Sequence, residues 1–310
     1  MAAAPPPILE CALGGLPLAT PLVAAAGTCG VLDELAEVSD VRWLGALTTK
    51  SLTAEPREGN APWRVVETRG GMLNAIGLAN PGVEAFVQDH APRAGGLPCA
   101  VIGSVAGHSV DEYVRVAQAL QAAGLRAIEL NVSCPNTADG RHFGSAPGPL
   151  TELVRAVRAA VSVRPLLVKL PPDGPVVGLA AAAVEAGADA LTLCNTFPAM
   201  QIDPESRAPT LSRGSGGLSG AGVHPIVVRL VHEVRRQVAG PAGVPIVGLG
   251  GVLDWRDAAE MLLAGASAVG LGTALMVDPT APRTIARGLT AWAQRQGVQR
   301  VQDLVGALRA

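Results

Sequence analysis

Cysteine is scarce in the sequence, and the few cysteines lie far apart. No two of them form a Cys-x-x-Cys pair. Zinc sites and iron–sulfur clusters usually take closely spaced thiolates, so no metal site is expected in this chain. The odd number and wide spacing are typical of reduced thiols in the cytoplasm. The five cysteines are Cys11, Cys29, Cys99, Cys134 and Cys194.

The sequence also lacks an excess of charge and a long apolar run. Its formal net charge is -2, which provides no attraction to nucleic acid or to an anionic membrane. The apolar run from Val176 to Val184 is short, rich in Ala and interrupted by Gly, so no transmembrane helix is predicted. The segment from Met1 to Ile8 has no basic region and is not interpreted as a secretory signal. We therefore expect a cytoplasmic protein that binds neither nucleic acid nor membrane.

Lysine is nearly absent. Of the 24 Lys and Arg residues, only Lys50 and Lys169 are lysines, so Arg is the ordinary surface cation of this protein. A surface position rarely requires Lys specifically. We interpret these two residues as placed where a compact ammonium group is needed.

Short apolar segments alternate with longer segments of helical periodicity along the chain. Roughly eight such units predict an α/β protein, a (β/α)₈ TIM barrel, with residues 1–310 as one domain. An open, doubly wound sheet is the alternative. The predicted strands are Leu22–Ala26, Gly45–Thr49, Cys99–Ser104, Ala127–Asn131, Leu166–Leu170, Ala190–Cys194, Pro245–Gly248 and Ala268–Gly270. The predicted helices are Val31–Val38, Val83–His90, Val110–Ala122, Thr151–Val161, Val176–Ala186, Val223–Val238 and Arg256–Leu263.

Two further segments are predicted outside these units. Cys11 to Leu18 has two glycines at its centre and is interpreted as a β-hairpin that closes the bottom of the barrel. Leu289 to Leu308 is interpreted as a terminal helix.

Three connections that follow strands are long: Ser51–Pro81, Val132–Pro149 and Thr196–Ala221. Loops after strands build the C-terminal face of a barrel, where active sites lie. Lys50 and Lys169 both lie at the ends of predicted strands. The functional site is therefore expected at this face, with both lysines in it.

Two glycine pairs follow the last two predicted strands, Gly250-Gly251 in one case and Gly270 with Gly272 in the other. Barrels commonly bind a phosphate group at this place through backbone N–H groups. The chain has no Gly-x-Gly-x-x-Gly fingerprint after its first strand, so NAD binding by this chain is not predicted. A phosphate site with two inward lysines suits FMN, since a cation near the N1/O2 edge of a flavin stabilises its reduced anion.

Asparagine and one cysteine indicate the substrate. Asn131 and Asn195 end strands, and Asn74 and Asn136 lie in long loops. An amide donates and accepts hydrogen bonds, which matches the alternating C=O and N–H groups of a pyrimidine. Cys134 lies in a polar, Gly-rich loop and is either a base that removes a proton from carbon or an inert thiol.

An ordered set of motifs from about Ile8 onward resembles the dihydroorotate dehydrogenases, FMN-containing (β/α)₈ barrels. The cysteine at position 134 resembles the class 1 enzymes of the cytosol, and Asn74–Gly82 resembles class 1B. The motifs are Thr49-Lys50-Ser51, Pro56–Asn60, Asn74–Gly82, Asn131–Asn136, Val168–Leu170, Asn195-Thr196, Gly216–Gly220 and the two glycine pairs.

The resemblance implies a role for each matching residue. Cys134 would be the base that removes the C5 proton of dihydroorotate while the flavin takes hydride from C6, and Lys50 would meet the substrate carboxylate. Orotate would be held by Lys50, Asn74, Ala75, Ile76, Gly77, Leu78, Asn131, Asn136, Asn195 and Thr196. FMN would be held by Ala26, Gly27, Lys50, Ser51, Ser104, Asn131, Lys169, Cys194, Gly220, Gly250, Gly251, Gly272 and Thr273. Ala26, Cys29 and Ser104 depart from the residues that relatives commonly carry.

Class 1B implies a partner. In that class the barrel subunit pairs with a subunit that carries FAD and a [2Fe–2S] cluster and passes electrons to NAD⁺, and a homodimer core of a heterotetramer is expected. Three alternatives stay open at this stage. They are a fumarate-using class 1A enzyme, a dihydropyrimidine dehydrogenase-like reductase, which tends to carry His where this chain has Asn136, and a non-redox barrel with Lys169 as Schiff base.

Overall fold

The computed structural model describes residues 4–133 and 143–309. The strands, in chain order, are β1 (Cys11–Leu13), β2 (Leu16–Leu18), β3 (Leu22–Ala24), β4 (Ala46–Thr48), β5 (Val65–Thr68), β6 (Gly71–Asn74), β7 (Ala100–Val105), β8 (Ala127–Asn131), β9 (Leu166–Lys169), β10 (Ala190–Leu193), β11 (Phe197–Ala199), β12 (Ile202–Asp203), β13 (Ala208–Pro209), β14 (Gly216–Ser219), β15 (Ile246–Leu249) and β16 (Ala268–Leu271).

The α-helices are α1 (Val83–Ala85), α2 (Ala91–Ala94), α3 (Val110–Ala122), α4 (Pro147–Ala160), α5 (Val176–Glu185), α6 (His224–Val234), α7 (Gly240–Ala242), α8 (Trp255–Ala264), α9 (Thr273–Val277) and α10 (Ala281–Arg295). Two π-helical turns, Phe86–His90 and Arg235–Ala239, join α1 to α2 and α6 to α7. Short 3₁₀ helices occupy Pro7–Leu9, Glu34–Glu37, Val41–Trp43, Ala221–Val223 and Val301–Leu304. Among the described residues, no helix combines the length and the apolar character that crossing a bilayer requires.

Eight parallel strands close into a barrel in the order β3-β4-β7-β8-β9-β10-β15-β16, with β16 paired back to β3. Side chains alternate along each strand, so Val23 and Ile102 point inward while Leu47 and Val101 pack outward under the helices. The predicted (β/α)₈ barrel is confirmed, and each of its strands lies within two residues of the predicted bounds. The open, doubly wound sheet is wrong, because the sheet has no free edge.

The N-terminal hairpin plugs the bottom of the barrel, as predicted. Gly14 and Gly15 both have positive φ, which allows a two-residue turn between β1 and β2. Leu13, Leu16 and Leu18 are buried against the inward residues at the start of the barrel strands. The lower half of the barrel is therefore a packed apolar core, and polar chemistry is confined to the other end.

Two helix predictions are wrong. In Val31–Val38 only Glu34–Glu37 is helical, as a 3₁₀ turn, because the Glu34 carboxylate accepts hydrogen bonds from the backbone N–H groups of Val31 and Leu32 and holds a turn instead. The terminal helix is α10, which begins eight residues before the predicted Leu289 and ends at Arg295, where Gly297 follows with φ of 71°.

The long loops contain a second sheet that the sequence did not predict. Strands β11, β14, β6 and β5 form an antiparallel four-stranded sheet from two connections predicted to be irregular. The strand β14 is rich in glycine, and a side chain at Gly217 would overlap Thr196. Pairing between segments more than 140 residues apart, such as Asn74 with Gly217, leaves no local pattern in the sequence.

Candidate functional site

A cavity of about 670 Å³ opens at the C-terminal end of the barrel strands, with the four-stranded sheet as one wall. Most residues predicted for the site lie around this one space, although they come from seven separate stretches of chain. Those that line it are Ala26, Gly27, Lys50, Ser51, Asn74, Ala75, Ile76, Gly77, Leu78, Asn131, Lys169, Cys194, Asn195, Thr196, Gly220, Gly250, Gly251, Gly272 and Thr273.

Three predicted residues are not among them. Ser104 is fully buried behind Ser51, and the two hydroxyl oxygens are 2.9 Å apart. The prediction that Ser104 contacts a cofactor is therefore not met, because Ser51 stands between it and the cavity. Cys134 and Asn136 lie outside the described residues.

Amide groups converge on the floor of the cavity. The Asn195 Nδ2 donates to Asn131 Oδ1 at 3.2 Å, and Asn131 Nδ2 donates to the Ser51 hydroxyl at 3.2 Å. Asn74 Nδ2 donates to the Gly217 carbonyl at 3.1 Å, which holds it on the opposite wall. Tyr113, buried on α3, donates to the Asn131 carbonyl at 2.6 Å and fixes the end of β8. The amides are thus held in place by contacts within the protein and face a shared space.

The two lysines lie close to one another in this cavity. Lys169 points inward from β9 and is 5% exposed, and none of the described residues forms a hydrogen bond or ion pair with its ammonium group. Burial, and then the charge of Lys169, lower the pKa of Lys50 from its usual value. Two buried cations without carboxylate partners favour an anionic ligand.

A buried carboxyl group was missed by the sequence reasoning. Glu129 points inward from β8, and its Oε2 accepts a hydrogen bond from the Thr192 hydroxyl at 2.8 Å. Burial raises the pKa of Glu129, and the charge of Lys169 opposes this effect only in part. A lone Glu in an otherwise apolar strand is the signal that could have revealed it.

Glu129 should make stability depend on pH. Its pKa is higher in the folded than in the unfolded chain, so the free energy of unfolding falls as pH rises above about 4.5, the interval in which only the folded chain keeps the proton. Glu129→Gln should remove this fall and be more stable than the wild type near neutral pH. Urea unfolding across the pH range measures it, with the exposed Glu152→Gln as control. A wild-type-like pH dependence in Glu129→Gln would contradict the interpretation.

A glycine-lined cradle lies between the ends of β14, β15 and β16. Gly251 has φ of 70°, and a Cβ there would lie 2.7 Å from the Gly220 carbonyl oxygen. The Thr273 hydroxyl donates to the Ser219 hydroxyl at 2.9 Å, and Gly272 faces open space. Only glycine permits this approach of backbone segments, which leaves main-chain N–H groups available to a phosphate group.

The mouth of the cavity carries cationic side chains that sequence reasoning did not assign. Arg57 Nη1 lies 2.6 Å from His108 Nε2, and Arg213 lines the same space. Arg57 was noted only within a motif, and nothing in its spacing shows that it meets His108. The positive mouth adds to the attraction of an anionic ligand.

Cys194 is the cysteine among the described residues that lines the cavity. It is 2% exposed, and burial raises the pKa of its thiol to about 12. Because the thiolate is the reactive form of cysteine, Cys194 cannot serve as a base near neutral pH. No group of three or more His, Cys, Asp or Glu side chains among the described residues is placed to hold a metal ion.

Comparisons with known proteins agree with this geometry. A sequence profile of the family described as dihydroorotate dehydrogenase matches residues 8–292. A protein of Desulforudis audaxviator named dihydroorotate dehydrogenase B (NAD(+)), catalytic subunit, is 45% identical over 299 residues, which cover 96% of each chain. A Pelobacter propionicus protein of the same name is 45% identical over 96% of this chain and 97% of its own.

Two other relatives are informative. A Solibacter usitatus protein, provisionally named dihydroorotate dehydrogenase A (fumarate), is 44% identical over 98% of this chain and 99% of its own. A crystal structure of DHODH from Eimeria tenella in complex with ferulenol superposes with a TM-score of 0.84 at 21% identity, covering 99% of this chain and 90% of that one. At that identity the structural match supports the fold alone.

Proposed function

The chain belongs to the dihydroorotate dehydrogenase family of oxidoreductases, and we propose that it oxidises dihydroorotate to orotate with bound FMN in pyrimidine biosynthesis. The observation that carries this proposal is the single cavity in which the amide cluster, two buried lysines and a glycine cradle meet. Each feature matches one part of the reaction: a pyrimidine, two anionic groups and a phosphate. Family membership removes the non-redox Schiff-base barrel from consideration.

The residues present fit FMN. The cradle of Gly220, Gly250, Gly251 and Gly272 would hold the phosphate through main-chain N–H groups, with Thr273 beside it. Lys169, which has no partner among the described residues, would lie at the N1/O2 edge of the ring. FMN supplies the hydride acceptor, and its anionic reduced state is favoured by a buried ammonium group.

The substrate would bind on the amide side of the cavity. Asn74, Asn131, Asn195 and Thr196 would form hydrogen bonds to the pyrimidine ring, and the segment from Ala75 to Leu78 would close over it. Lys50 would bind the carboxylate. Cys134 and Asn136, assigned by resemblance, would act as the base and a further amide contact.

NAD⁺ is the proposed final acceptor, reached through a partner subunit that carries FAD and a [2Fe–2S] cluster. The names of the two NAD(+)-linked catalytic subunits support this choice. We further propose a homodimeric barrel core within a heterotetramer, located in the cytoplasm. Fumarate is the second candidate acceptor, because the Solibacter relative carries a fumarate-linked name.

The decisive test of the activity is optical. The purified chain should be yellow, release FMN on denaturation, and lose its flavin absorbance when dihydroorotate is added without oxygen. Dihydrouracil should bleach it far more slowly, because it has no carboxylate to meet Lys50. A colourless protein that gains no flavin on reconstitution would overturn the proposal, and faster bleaching by dihydrouracil would favour the dihydropyrimidine dehydrogenase-like alternative.

Lys169→Ala should weaken FMN binding and make the flavin harder to reduce, because the anionic reduced ring loses its countercharge. Lys169→Arg should restore only part of both, since a planar guanidinium does not replace a compact ammonium group. Anaerobic redox titration gives the midpoint potential of each variant. Arg155→Ala, an exposed cation on α4, is the control and should match the wild type. A wild-type potential in Lys169→Ala would mean that Lys169 does not face the flavin ring.

A further inference from the structure

The glycine cradle is supported from behind by a buried histidine that does not line the cavity. His224 begins α6, four residues after Gly220, and is 8% exposed. It belongs to neither set of predicted site residues, and the reaction as described above makes no use of it. Its contacts connect the cradle to a neighbouring helix.

One side of the imidazole ring holds the cradle. His224 Nδ1 lies 3.0 Å from the Gly250 carbonyl oxygen, so the ring donates a hydrogen bond to that carbonyl. At Gly251, a Cβ would lie 2.7 Å from the Cβ of His224 and 2.8 Å from its backbone nitrogen. The conformation of Gly250-Gly251 is therefore set by direct packing against His224.

The other side of the ring faces carboxylates of α8. His224 Nε2 lies 3.3 Å from Glu260 Oε2 and 3.9 Å from Asp257 Oδ1. Asp257 is itself held in the cap of α8, where it accepts from the backbone N–H groups of Leu253 and Asp254. Both ring nitrogens thus face oxygen acceptors. These contacts are matched when both nitrogens carry a proton, which places a positive charge behind the cradle.

We propose that His224 is a positioning residue that fixes the Gly250-Gly251 backbone for the phosphate group of the cofactor and adds positive charge behind it. This inference rests on the proposed function, since it needs a phosphate-bearing flavin in the cavity. It concerns the phosphate alone, because His224 has no contact with the part of the cavity near Lys169 and the amide cluster.

Riboflavin provides the test, because it has the ring of FMN without the phosphate. The flavin-stripped full chain is titrated with each flavin by fluorescence. His224→Ala should weaken FMN binding by about 10- to 100-fold, the size expected for one charge-assisted hydrogen bond, and change riboflavin binding by less than about threefold. His224→Gln, which keeps a donor but removes the charge, should fall between. His232→Gln, an exposed histidine on the same helix, should match the wild type.

A second measurement guards against loss of folding. Inorganic phosphate should raise the Tm of the stripped wild type and of Glu260→Gln more than that of His224→Ala, measured on samples with native circular dichroism. Equal losses of FMN and riboflavin affinity in His224→Ala, or no loss of either, would overturn the inference and leave the proposed function intact. A wild type that binds neither flavin would instead overturn the proposed function.

Discussion

Cys134→Ala should slow reduction of the bound flavin by dihydroorotate about 10²- to 10⁴-fold, the usual contribution of a positioned general base. Its FMN content should stay near that of the wild type, because no cofactor contact is assigned to Cys134. The residue lies outside the described part of the chain, but its neighbour Ser133 lines the cavity. Stopped-flow absorbance under anaerobic conditions gives the rate.

The other thiols support the choice of Cys134. Burial raises the pKa of Cys11, Cys29 and Cys194 to about 12 and that of Cys99 to about 11, so none of them supplies a thiolate near neutral pH. Cys11→Ala, in the hairpin at the far end of the barrel, is the matched control and should reduce its flavin at the wild-type rate.

Serine in place of Cys134 separates the base from the shape of the residue. Cys134→Ser should keep some activity but need a higher pH, because a hydroxyl group is a weaker acid than a thiol. The wild-type rate should rise with pH as the thiolate forms, near about 8.5 for an ordinary cysteine. An unchanged reduction rate in Cys134→Ala would remove the residue from the mechanism.

The isolated chain should oxidise dihydroorotate with artificial dyes and yet reduce NAD⁺ poorly or not at all. The described residues contain no group of thiolates or histidines that could hold a cluster. The first strand is not followed by a dinucleotide fingerprint. Electrons must therefore leave through another protein. Adding a cognate subunit that carries FAD and a [2Fe–2S] cluster should restore NAD⁺ reduction.

Steady-state assays on the purified chain distinguish the possible acceptors, with dye reduction as the control that the barrel is active. Fumarate should be a poor acceptor. Rapid fumarate-dependent turnover would place the chain with the fumarate-linked enzymes. Rapid NAD⁺ reduction by the single chain would contradict the two-subunit proposal altogether.

The barrel could be predicted because its strands carry their signal locally. A short apolar run such as Leu166–Leu170 records burial in the few residues of the strand itself, and the structure places β9 there. The hairpin and both lysines were found for the same reason. The helix at Val31–Val38 was wrong because the Glu34 side chain holds the backbone of Val31 and Leu32 in a turn.

Sequence alone determined the residue types of the site: the amides, the two lysines, the glycine pairs and the loop cysteine. It also showed their order along the chain, from which the family resemblance follows. These features are properties of short segments, and periodicity and spacing record them directly.

Only the tertiary structure decided which groups meet. It brought Asn74 to Gly217 across a sheet with no local signature, and it placed Ser104 behind Ser51. It set Glu129 beneath Lys169 and His224 against Gly250, each through residues distant in sequence. Burial and neighbouring charge, which set the pKa of a carboxyl or thiol, exist only once the chain has closed into the barrel.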